Sequence, residues 1–155
     1  NYGTNYGTRA AVAYLGLGAN IPQDAVYRSA TKFQLTGARD WTLTFTKEHG
    51  TPPVDAFWSM TVYNSESYLV PNAQNRYALG SQSGLHVADD GSTTIYFSVQ
   101  EPSNATQRQN WLPIPAGQFS ITARMYWPTE AILNDSWVLP EVVDTSGSII
   151  RLMIA

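Results

Sequence analysis

Arginine is the first place to look for chemistry in this sequence. Of nine basic residues, seven are Arg, and only Lys32 and Lys47 are lysine. Lysine serves as generic surface charge, so this bias points to fixed, forked contacts. Arg76 stands between Asn75 and Tyr77, and Arg124 between Ala123 and Met125, with Thr122 and Tyr126 at alternate positions. With Trp58, Tyr63 and Trp111 they form a candidate ligand set: Trp58, Tyr63, Asn75, Arg76, Trp111, Arg124 and Tyr126. Aromatic rings stack on the apolar face of a sugar, and a guanidinium donates to its hydroxyls or to a carboxylate. The same residues admit a structural reading, in which Arg124 and Asp55 pair internally and the rings are core.

Other chemistries find less support. Acid–base work needs a perturbed carboxylate or imidazole in a pocket. Asp55, Glu66, Glu101 and Glu141 are available, and Asp55 is the weak catalytic candidate, because it precedes a strong strand. No spacing picks out a catalytic pair. The two histidines, His49 and His86, stand outside any H-x-H or H-E-x-x-H pattern, and there is no cysteine, so no metal site and no cofactor are expected. Asp89-Asp90-Gly91 lacks the rest of a calcium loop. Neither a nucleophile elbow nor a complete glycine-rich nucleotide loop is present.

The elements that must position these residues follow from periodicity. Trp41, Leu43 and Phe45 alternate with threonines, the mark of a half-buried strand. Phe57–Tyr63 is bulky on both faces. Ser92–Gln100 alternates about Ile95, Phe97 and Val99. Phe119–Trp127 sets Phe119, Ile121, Ala123, Met125 and Trp127 against Ser120, Thr122, Arg124 and Tyr126. Weaker strands are expected at Val26–Phe33, Arg76–Leu79, Leu85–Val87 and Ile149–Ile154. A helix is expected over Tyr6–Leu15, capped by Thr4 or Asn5, stopped by Gly16 and Gly18, with an Ala-rich face at Ala10, Ala13 and Leu17 that packs closely. One helical turn should follow Pro128. Thr36-Gly37 and Asp90-Gly91 carry hairpin chemistry. The expected fold is all-β, an antiparallel sandwich of jelly-roll type with one or two short helices. Residues 1–20 read as a helical lead-in and 21–155 as the sandwich.

Composition narrows the partners. The 155 residues have a net charge of −3 and only 14% charged residues, which speaks against a general nucleic-acid binder. No stretch is apolar enough to span a membrane as a helix. Asn104 and Asn134 begin glycosylation sequons, relevant only in a eukaryotic secretory pathway.

Several motifs in order resemble a known family. They are Pro52-Pro53-Val54-Asp55-Ala56-Phe57-Trp58-Ser59-Met60-Thr61, Tyr63-Asn64, Asn75-Arg76-Tyr77, Asp90-Gly91-Ser92, Asn110-Trp111-Leu112-Pro113 and Arg124-Met125-Tyr126-Trp127-Pro128. Together they resemble the domain of unknown function 1214, over about residues 21–143. That resemblance implies a jelly-roll β-sandwich following a domain of unknown function 1254 module, so that this chain is a C-terminal module. It implies a periplasmic or secreted location and supplies no reaction. Three functions are therefore expectations: a module binding a small polar or carbohydrate-like ligand; a hydrolase or lyase using Asp55 or a histidine; and an assembly module pairing with an upstream module or with copies of itself through a sheet edge or the Ala-rich helix.

Overall fold

The computed structural model describes residues 3–15, 20–144, 147, 149–150 and 153–154. Asn5 caps the first helix, α1 (Tyr6–Leu15): its side-chain oxygen accepts from Thr8 N at 3.0 Å, and its carbonyl accepts from Arg9 N. The Ala-rich face does not pack as expected. Ala10 and Ala13 are exposed, and Tyr14 is 91% exposed. Leu17 and the glycine stop lie outside the described residues.

Ten strands follow among the described residues: β1 (Ala25–Thr36), β2 (Trp41–Phe45), β3 (Val54–Asn64), β4 (Ala78–Gly80), β5 (Thr93–Ser98), β6 (Trp111–Pro113), β7 (Gln118–Pro128), β8 (Val142–Asp144), β9 (Ile149–Ile150) and β10 (Met153–Ile154). They form two five-stranded sheets, β10-β1-β7-β3-β4 (sheet A) and β6-β5-β2-β8-β9 (sheet B). Two short helices, α2 (Ala105–Gln109) and α3 (Glu130–Leu133), lie in the connections. The all-β sandwich is therefore as expected, with one departure from antiparallel pairing among the described strands. β5 and β6 run parallel, because α2 carries the chain back to the same end before β6 begins.

Period 2 explains the core. Trp41, Leu43 and Phe45 are buried while Thr42 and Thr44 are half-buried, and Thr44 Oγ1 meets Thr94 Oγ1 across the β2–β5 pair at 2.9 Å. Met60, Val62, Phe119, Ile121 and Met125 from sheet A meet Leu43, Ile95 and Phe97 from sheet B in one cluster. Burying such a side chain is worth about 1.5–3 kcal/mol, which is what holds the sheets face to face.

Some expectations fail for reasons of path. Thr36-Gly37 is not a hairpin turn, because β1 pairs with β7 and β2 with β5 and β8. It carries the chain between sheets, and the Trp41 indole N–H pins the corner by donating to Thr36 O at 2.9 Å. A Cβ at Gly37 would lie 1.9 Å from Pro115 O, so only glycine fits. Asp90-Gly91 does turn tightly, with Gly91 at φ +83°, but Leu85–Val87 before it is not a strand. The expected strand over Ile149–Ile154 divides between β9 in one sheet and β10 in the other. Periodicity gave no sign of α2 or β8.

Candidate functional site

β7 lies at the centre of sheet A, flanked by β1 and β3. Its register sets the rows of the outer face. Tyr27, Arg124 and Ser59 lie across from one another; so do Ser29, Thr122 and Thr61; and Ala25, Tyr126 and Phe57. Because alternate residues point to opposite faces, Met125, Ala123 and Ile121 go to the core and Arg124 points out. The result is an arginine at the middle of a solvent-facing sheet surface.

Arg124 is held by side chains. Its Nη1 donates to Thr61 Oγ1 at 3.1 Å and its Nη2 to the Tyr63 hydroxyl at 2.7 Å. Its guanidinium carbon lies 5.9 Å from the Tyr27 ring centre and 5.5 Å from that of Tyr63, within cation–π range. Tyr126 stacks on Phe57 at 4.5 Å and meets Tyr27 edge-on at 6.4 Å. Burial pushes the Tyr126 hydroxyl above its usual pKa, the Tyr27 hydroxyl adds to this, and Arg124 partly offsets it. Ser29 Oγ and Thr122 Oγ1, 3.0 Å apart, extend the floor with hydroxyls. Arg124 does not pair with Asp55, as the structural reading of the sequence required; its partners are the two hydroxyls.

At one end of this platform both strands distort. β3 bulges between Val54 and Phe57, leaving Asp55 and Ala56 exposed. Opposite it Trp127 has φ +52°, an outlier for a bulky residue. This turn of the backbone breaks the alternation of β7, so that Pro128 is buried and Trp127 is 62% exposed. Period 2 placed Trp127 with the core residues; the left-handed backbone moves it to the surface. Strain of this kind costs about 1–3 kcal/mol and concentrates at functional sites.

The seven expected ligand residues do not share one cleft. Tyr63, Arg124 and Tyr126 come together on the outer face. Trp58 is 3% exposed and packs on Phe45 in the core at 5.4 Å. Parity explains this: Trp58 and Tyr63 are five apart on β3 and point to opposite faces. Trp111 is also buried, its indole N–H donating to Ser98 O at 3.1 Å. Arg76 donates from Nη1 to Arg108 O at 2.8 Å and Trp111 O at 3.0 Å, tying the loop before β4 to α2 and β6. Asn75, exposed at φ +51°, accepts from the Tyr77 hydroxyl. Of these residues Trp111 lines an open groove of about 530 Å3, together with Asn72, Gln74 and Glu101, in which Gln74 Nε2 donates to Glu101 Oε2. His49 Nε2 meets Val138 O at 2.8 Å and its ring lies against Trp137, so it serves as framework. Among the described residues no three His, Asp or Glu side chains gather as a metal site would require.

The sequence reading missed Tyr27, Phe57, Thr61 and Trp127. Phe57 and Thr61 share Tyr63's parity and were open to discovery on that ground. Tyr27 needed the β1–β7 register, and Trp127 needed the backbone angle.

The chain is similar to the VPA0106 protein from Vibrio parahaemolyticus at 29% identity, with a TM-score of 0.69 over 86% of this chain and 33% of that one. It is also similar to a putative uncharacterized protein from Burkholderia cenocepacia at 17% identity, with a TM-score of 0.48 over 89% of this chain and 31% of that one. This chain thus spans about a third of the length of the solved chains it matches. No curated protein matches it. The model of the family described as "Protein of unknown function (DUF1214)" matches residues 24–130, most of the sandwich and the whole Arg124 platform, and the chain belongs to that family.

Proposed function

We propose that the outer face of sheet A binds a small polar, carbohydrate-like ligand, with Arg124 as the forked donor and the surrounding rings as the stacking surface. The observation that carries this reading is an arginine centred on an outward-facing sheet and held by hydroxyls, Thr61 and Tyr63, rather than by a carboxylate. Two of its five N–H donors are spent on these groups, and hydroxyls can rotate to accept from or donate to a ligand. Phe57 and Trp127, both exposed, supply ring surface at the end of the platform. Titration of neutral sugars and sugar acids against the chain, followed by NMR shifts of the Tyr27 and Tyr126 rings, tests the reading. Binding that persists unchanged in Arg124→Met rejects it.

An assembly role is the second reading, favoured by the exposed Trp127 and by the Tyr6 and Tyr14 rings on a helix without close packing. Edge pairing is its weaker form, since the edge strands β4 and β6 have three residues each. A position after a domain of unknown function 1254 module, a jelly-roll winding of the sandwich and a periplasmic or secreted location belong to the same proposal. Analytical ultracentrifugation of the wild-type chain and of Trp127→Ser separates the two readings: a dimer lost in the variant supports assembly, and a monomer in both leaves the platform to a small ligand.

A further inference from the structure

A cavity of about 310 Å3 opens beside the first residues of β1, where α3 borders the sandwich. Val26, Ile132 and Leu133 line it with carbon. One charged group interrupts this wall. Arg28 has the inward parity of Val26 and Ala30, and its side chain is only 10% exposed. Its Nη2 donates to Asp135 Oδ1 at 2.7 Å. Asp135 is aimed back toward β1 by a left-handed turn at φ +59° and keeps 65% of its side chain in water.

Two features set this pair apart from an ordinary buried ion pair. The contact uses one carboxylate oxygen and one nitrogen, whereas a guanidinium matches a carboxylate with two parallel bonds. And Asp135 Oδ1 is the one side-chain partner of Arg28 among the described residues. Arg28 itself lines the cavity, and among those residues no fully enclosed side-chain nitrogen or oxygen lacks a partner, so any nitrogen of Arg28 that makes no hydrogen bond is an accessible one. A guanidinium taken this far out of water needs its fork filled. The carbon walls favour an occupant with an apolar part, and the Asn20 Nδ2 to Tyr27 hydroxyl bond, 2.9 Å, gives the cavity a polar rim.

We propose that this cavity binds a small monocarboxylate with a short apolar tail, its carboxylate completing the Arg28 fork and its tail lying on Val26, Ile132 and Leu133. The site borders the Arg124 platform, Tyr27 belonging to both, but the carboxylate is held by Arg28 and not by Arg124. Asp135 competes with the ligand from the solvent side, so the bound carboxylate either shares Arg28 with it or displaces it into water.

The experiment is an isothermal and NMR titration of the chain with butyrate, hexanoate and octanoate, with 1-hexanol as the uncharged control. Affinity should rise roughly three- to fourfold per added methylene, and hexanol should bind about tenfold more weakly than hexanoate. Arg28→Met should abolish hexanoate binding, Asp135→Asn should tighten it severalfold by removing the competitor, and Arg124→Met should leave it unchanged. Absence of hexanoate binding at about 10 mM in both the wild type and Asp135→Asn overturns the proposal. So does binding that Arg28→Met leaves unchanged. Should Arg28→Met fail to fold, the Asp135→Asn titration decides alone: a tighter complex supports the site, and an unchanged or weaker one rejects it.

Discussion

Arg76 and Arg124 look alike in the sequence, each with a tyrosine one or two residues on, yet the fold uses them in opposite ways. Arg76 spends its donors on backbone carbonyls, those of Arg108 and Trp111, in a corner where Asn110 is also fully engaged. Asn110, 2% exposed, accepts from His86 N at 2.7 Å and donates to His86 O and Thr94 O at 2.8 and 2.9 Å. Backbone carbonyls cannot turn away, so this corner is a clamp joining the loop before β4 to sheet B. Arg124 spends its donors on hydroxyls that rotate, on a face open to solvent. Residue type is therefore a poor guide to an arginine's task. What its partners are, and whether they can be exchanged, is the better one.

The sharpest way to break this contrast is to unmake the clamp. Asn110→Ala orphans one buried N–H and two carbonyls, and should lower the unfolding free energy by about 3–4 kcal/mol in urea titrations. Arg76→Ala should cost less, about 2 kcal/mol, since its guanidinium is only partly buried, and should leave any ligand affinity of the sheet A platform as it was. Arg124→Met should reverse the pattern: about 1 kcal/mol or less of stability is lost, while saccharide affinity falls about tenfold or more. Equal stability losses at Arg76 and Arg124 would dissolve the distinction. Trp127→Gly releases the left-handed strain and should leave stability unchanged or raised by about 1 kcal/mol, with weaker ligand binding. A clear loss of stability would mean that the ring packs rather than waits.

The smallest effect concerns pH. The hydroxyl of Tyr126 is held above its usual value of 10.0 by burial first and by Tyr27 second. Above pH 10 the unfolded chain gives up this proton while the folded chain retains it, so the fold binds more protons and loses stability as pH rises through the native value. The contribution is fully present below pH 10. Tyr126→Phe should flatten that alkaline decline, as seen in urea midpoints measured on either side of pH 10.

Much of the fold was legible in the sequence, because its signals are local. The helix over Tyr6–Leu15, the threonine-faced strand of Trp41–Phe45 and the alternation of β7 up to Tyr126 depend on neighbours a few residues apart. So does the pointing of Arg124 away from Met125. The family motifs around Phe57, Arg76, Trp111 and Arg124 were equally legible, since they are strings of residues. Their grouping into a single cleft was not. Trp58 and Tyr63 were read together despite opposite parity, and Trp111 was placed by its type although its indole is spent on Ser98 O.

By itself the sequence determined which residues alternate, where charge is scarce and which residues of each strong strand share a face, because a strand's period is a property of consecutive bonds. Only the tertiary structure decided that Tyr27 lies across from Arg124, that β5 and β6 run parallel, that Arg28 borders a cavity and that Trp127 leaves the core. Register joins residues about a hundred positions apart, and a single left-handed φ inverts the facing of everything after it; neither leaves a mark in a local pattern.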